Sequence, residues 1–134
     1  MMFKISEFQG IDPNHVTKLR EAGIETTEDF MKLWGDKTKR QGLMEKTGIT
    51  GEQFAGYGSK VRLARIKGVG LGNVELLIAA GIDGPKSLFE YTPEALVKRL
   101  GETAAEKKVP GTVPTLDQVT LWFTERKPAT AVAP

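Results

Sequence analysis

The chain has no cysteine and one histidine in 134 residues, and each scarcity removes a class of function. Without thiols there is no disulfide framework, no cysteine nucleophile and no thiolate-bound metal. With His15 alone, a zinc site would have to be built almost wholly from carboxylates, which that ion rarely accepts. No apolar run approaches membrane-spanning length. Glu7 falls where a secretory leader would need continuous apolar sequence, so the expected compartment is the cytoplasm, with no membrane partner. An excess of either charge is lacking too: 19 basic residues against 17 acidic leave a net charge of +2. The molecule as a whole is no polycation.

What remains is helix-forming sequence cut into short pieces. Fifteen glycines and seven prolines punctuate it, and the apolar spacing between them is helical, with little alternation of the strand type. The expectation is an all-α fold. Ser6 to Gln9 reads as a single turn. Asp12-Pro13 reads as a helix start, because the carboxylate accepts a free amide and proline suits the first helical position; Gly23 ends that helix after Ala22. Thr26 or Thr27 starts the next, with Glu28 and Asp29 set against the positive end of its dipole, and it runs to near Gly35. Lys37 to Thr47 follows, with Leu43 and Met44 inward and Gly48 as the stop. Thr50-Gly51-Glu52-Gln53 has the form of a capping box, and Phe54, Tyr57, Val61 and Ala64 make one apolar stripe behind it. Gly56 and Gly58 either weaken that helix or admit a close neighbour.

After the Gly68-Val69-Gly70 turn, Leu71 to Ala80 is expected to be helical, followed by short helices opened by Pro85 and Pro93. Lys107 to Pro114 reads as a connector. Thr115-Leu116-Asp117-Gln118 is a second capping box, opening a closing helix over 115–126 with Leu116, Val119, Trp122 and Phe123 inward. Residues 127–134 have no periodicity and are expected to be disordered. Trp34, Tyr57 and Trp122 are expected in the core, and His15 on the surface.

A shift of 58 positions lays Gly10, Val16, Leu19 and Ala22-Gly23-Ile24 on Gly68, Val74, Leu77 and Ala80-Gly81-Ile82. One such unit is too small to bury its own apolar face. The repeat therefore predicts two pseudo-twofold-related helical hairpins in one compact domain over 1–126, repeat one at about 5–50 and repeat two at about 51–106. At Ile66-Lys67-Gly68-Val69-Gly70 the chain resembles the helix-hairpin-helix superfamily, whose turn is hydrophobic-x-Gly-hydrophobic-Gly followed by a helix. From about Ile5 to Arg126, the Trp122 helix included, it is similar to a bacterial family of tandem helix-hairpin-helix proteins that is known as a domain of unknown function. That resemblance implies paired hairpins and brings no established activity. Through the superfamily it implies nucleic-acid binding without sequence preference, or else a protein-interaction module.

The charge distribution points to the second hairpin. Between Glu52 and Glu75 there is no acid, while Lys60, Arg62, Arg65 and Lys67 fall in that stretch, read as the one basic focus of the chain. Glycines at 68 and 70 permit a tight turn, and the amides that open the following helix form an anion cradle. The candidate site is therefore Gly68, Val69, Gly70, Gly72 and Asn73 through backbone amides, with Lys60, Arg62, Arg65 and Lys67 through charge. The ligand would be nucleic acid, expected to be duplex DNA, held by its phosphates.

Two features weigh the other way. Gly72 and Val74 occupy places where DNA-binding hairpins carry a phosphate-side Lys or Arg and a small residue, and in the first hairpin Asp12, better read as an N-cap, replaces the second glycine. The competing expectation is a scaffold whose hairpins bind a protein partner or a second copy, with the glycines only turning the chain and the cations only solvated. Catalysis is not expected. His15 has no acid partner nearby in sequence, Glu25, Glu28 and Asp29 read as first-turn acids, and the 68–72 stretch lacks the lysine spacing and preceding strand of a phosphate-binding loop. No cofactor, metal or small-molecule substrate is implied.

Overall fold

Helix starts in this chain are set by side chains that accept the amides a helix leaves unpaired. In the computed structural model, which describes residues 3–108 and 113–123, Asp12 accepts from the amide of Asn14 at 2.8 Å and Pro13 opens α1, Pro13–Glu21. Thr26 and Asp29 form a reciprocal capping box on α2, Thr27–Trp34. Asp36 caps α3, Lys37–Thr47, through the amide of Lys39. Thr50 and Gln53 exchange bonds of 3.1 Å at the head of α4, Gly51–Ala64, as the capping-box pattern predicts. Then come α5, Gly70–Ala79, the short α6, Pro85–Leu88, and α7, Pro93–Lys107. The Thr115 and Gln118 box opens a last helix, α8, described over 116–123.

The chain is all-α as expected. Besides a single 3-10 turn at Ile5–Glu7, the described residues hold one isolated antiparallel bridge, Lys4 to Thr26. Among the described residues no helix is long and apolar enough to cross a membrane. One element differs in length from expectation: Pro93 opens a helix of 15 residues, not a short one. Gly101 does not stop it, because an interior glycine lowers helix stability by only about 1 kcal/mol relative to alanine while Leu96, Leu100 and Thr103 are buried around it. The expected closing residues 124–126, the centre of the 107–114 connector and the expected disordered tail at 127–134 lie outside the described residues.

Two compact units divide the chain at residues 61 and 62. In the first, Phe30, Trp34 and Phe54 stack with centroids 5.0–5.8 Å apart. The predicted α4 stripe of Phe54, Tyr57, Val61 and Ala64 is buried throughout. In the second, Leu77, Leu88, Leu96 and Leu100 are wholly buried with Val119 and Trp122. Cations close α5 at its negative end: Arg99 donates twice to the Ala80 carbonyl, and Lys107 donates to that of Ala79 at 2.9 Å.

Some positions 58 residues apart share a local backbone conformation. Gly23 and Gly81 take left-handed φ values of 89° and 86°, and the next residue closes each helix with a bond to the leucine five before it, Ile24 to Leu19 at 2.8 Å and Ile82 to Leu77 at 3.0 Å. Gly10 and Gly68 likewise share the left-handed region.

Leu116 departs from the inward position its spacing predicts and is 43% exposed. Side chains on a helix lean toward its N-terminus, so the first residue overhangs the helix start, where no preceding turn shares its cover.

The α2 cap carries a measurable charge effect. The amide of Glu25, then the amide and hydroxyl of Thr26 and the charge of Lys32, hold the Asp29 carboxyl below its usual value against partial burial. Such a group stabilises the fold above its unfolded pKa of about 3.9, and that contribution is lost as pH falls through the lower folded value. Asp29→Asn should therefore reduce stability at neutral pH and flatten part of the loss below about pH 4, read by urea unfolding across that range. Thr26→Ala should lower stability by about 1 kcal/mol at neutral pH and by less below about pH 4, because the lost hydroxyl also helps to hold the ionised Asp29.

Candidate functional site

The predicted Gly68-Val69-Gly70 turn begins just after α4 stops. Ile66 closes back on Leu63 at 3.1 Å and Val69 on Ile66 at 3.0 Å, so two successive turns join α4 to α5. Gly68 and Gly70 carry φ of 90° and 65°, a region closed to most L-residues. Val69 is buried and anchors the turn. Asn73 turns its side-chain amide onto the Val69 carbonyl at 2.7 Å, bracing the first turn of α5.

No side chain caps α5 at Val69. Helix geometry leaves the first amides of α5, those of Gly70, Leu71 and Gly72, without intrahelical acceptors, at the positive end of the dipole. A β-carbon on Gly70 or Gly72 would meet nothing within 4 Å. For Gly70 the positive φ explains the glycine. Gly72 has neither a strained φ nor a close neighbour, and its bare backbone faces open space beside those amides. Arg65 and Lys67 stand exposed in the turn just before them. Chemically, this is a place for an anion: oriented amides, a helix dipole and two cations within a few residues.

The other predicted residues are placed differently. α4 ends at Ala64, so Arg65 lies in the turn and not on the helix. Arg62 donates to the Asp83 carbonyl at 3.4 Å, and its guanidinium packs where a Gly84 β-carbon would stand. It supports the turn before α6. Lys60 is half-buried on α4 and belongs to the first unit, whereas the hairpin belongs to the second. Gly68 also has a packing role, since an added β-carbon would stand 3.0 Å from the Trp122 indole.

Three features escaped the sequence reading. His15 is half-buried, not on the surface, with Nδ1 2.7 Å from the Tyr57 hydroxyl, which also accepts from the Asp12 amide. The partners are 42 residues apart, beyond the reach of local pattern. A second basic focus lies on α3, where Lys37, Lys39, Arg40 and Lys46 face only Glu45 in sign; Asp36 and Glu45 make its acid-free stretch much shorter than the one at 53–74. Met44, expected inward, is half-exposed and lines a cavity of about 180 Å³ with Trp34, Lys37, Arg40, Phe54 and Ala55, where Arg40 sits 5.2 Å over the Trp34 ring.

Residues 9–128 match the family described as Domain of unknown function (DUF4332). No curated protein and no solved structure matches the chain. The match spans nearly the whole sequence, and the chain belongs to that family.

Proposed function

We propose, with membership of this family of unassigned function as the premise, that the chain is a cytoplasmic, non-catalytic tandem helix-hairpin-helix domain that binds nucleic acid, in the first place duplex DNA, by its phosphates. The observation that carries the reading is the uncapped start of α5, where Gly70 and Gly72 leave the backbone bare and Arg65 and Lys67 stand beside it. Phosphate oxygens accept from the amides while the two cations neutralise charge, and no base edge is read. Arg62 contributes less than the sequence suggests, because its guanidinium donates to the Asp83 carbonyl.

Fluorescence anisotropy with labelled duplex and single-stranded DNA of unrelated sequences, at rising salt, tests it. Log affinity should fall with log salt at a slope of about −2 to −4, as two to four phosphate contacts require. Lys67→Glu should weaken binding to every sequence by a similar factor and flatten the slope by about 1. Unchanged affinity in Lys67→Glu would remove the hairpin from the interface.

A second reading, a protein-interaction module, has one observation in its favour. α8 holds out two large apolar side chains, Leu116 and Leu121, the latter 62% exposed.

A further inference from the structure

We propose that the chain associates with a second copy of itself head to tail, the outward face of α8 on one copy seating in the cavity beside α3 on the next. This gives the protein-interaction reading its partner and is independent of phosphate binding. The receiving cavity has an apolar floor of Trp34, Met44 and Phe54, a wall at the exposed Ala55, and Lys37 and Arg40 at its rim. At about 180 Å³ it is smaller than the roughly 300–1,000 Å³ of small-molecule pockets, but it has room for one apolar side chain, the usual anchor of an interface.

Next to the cavity, and sharing Lys37 and Gln41 with it, lies a flank of α3 that also includes Thr38, Gly42 and Glu45. A β-carbon on Gly42 would meet nothing within 4 Å. A glycine in an exposed helix interior is destabilising, and no described residue accounts for this one. A helix laid along the flank does. Lys37 and Arg40 at the rim outnumber Glu45 on the flank, so this face attracts an acidic group.

α8 carries the complementary chemistry. Leu121 and Asp117 are one helical turn apart and share a side, so an apolar knob stands next to a carboxylate, with Leu116 at the edge of the same exposed surface. Leucine matches the floor and aspartate matches the rim. Each chain then offers one knob and one cavity, which makes the interface heterologous. A single helix face buries less than the roughly 1,200 Å² of stable complexes, so the dissociation constant should be on the order of 0.1 mM.

Sedimentation velocity on the full chain, without nucleic acid and over a roughly hundredfold concentration range around that constant, should show the average mass rising with concentration. Leu121→Glu and Ala55→Glu, both at exposed helical positions, should each abolish the rise while leaving the helical circular dichroism unchanged. Mixed in equal amounts, the two variants should recover a dimer and nothing larger, because one intact α8 then meets one intact cavity. A wild-type chain that stays monomeric overturns the proposal. So does association that survives Ala55→Glu, which would mean leucine faces pairing with each other, and so does a mixture that fails to dimerise.

Discussion

Replacing Trp122 by alanine should lower the unfolding free energy by about 3–5 kcal/mol, the range for deleting a large aromatic from a packed interior. Trp122 is 1% exposed and is among the largest fully buried side chains of the described residues. Its indole edge lies against Gly68, whose left-handed backbone and missing β-carbon make the space for it. The deletion therefore opens a hole directly beneath the hairpin. Among the described residues the buried indole nitrogen has no hydrogen-bond partner, and an unpaired buried donor is unfavourable by about 1–3 kcal/mol. Trp122→Phe sheds that donor along with part of the ring, so its loss should be about 1–2 kcal/mol, well short of alanine's. Urea unfolding of both variants checks this. Equal losses would mean that the N–H is satisfied and that ring volume alone is at stake.

Alanine substitutions two residues apart on α4 should move stability in opposite directions. At Gly58 an added β-carbon would stand 2.5 Å from two ring carbons of Trp34, which is held in its stack with Phe30 and Phe54. Overpacking of this kind is destabilising by about 1–3 kcal/mol or more, against about 1 kcal/mol gained in helix propensity. Gly58→Ala should therefore lose about 1–2 kcal/mol, and Gly58→Val about 3, since it adds volume and a β-branch. Gly56→Ala meets nothing within 4 Å and should gain up to about 1 kcal/mol. If both alanines stabilise, the Trp34 ring moves more freely than its stacking implies.

Most of the helical order was legible because the stops and starts are local chemistry. The Asp12, Thr50 and Thr115 caps are read from three or four consecutive residues, and each forms its bonds in the structure. What sequence could not supply is any pairing across the chain. The glycine at 58 was readable as a close approach, but not that Trp34 makes it. The hairpin glycines were readable as a turn, whereas the Trp122 edge behind Gly68 depends on a helix more than fifty residues later. Arg62 shows the same limit for the candidate site: its charge is visible in sequence, and its commitment to the Asp83 carbonyl is not. Counting cations finds a patch, but only geometry shows that one of them braces a turn.

The two tryptophans of the chain fall one to each unit, Trp34 in the first and Trp122 in the second. Trp34 lies in an aromatic stack under a guanidinium, while Trp122 is sealed from water. The protein thus carries two intrinsic fluorophores in unlike surroundings, each reporting on its own half. With either indole silenced as phenylalanine, the emission of the other traces the unfolding of a single unit. Coincident curves would mark one cooperative transition, and separated curves two.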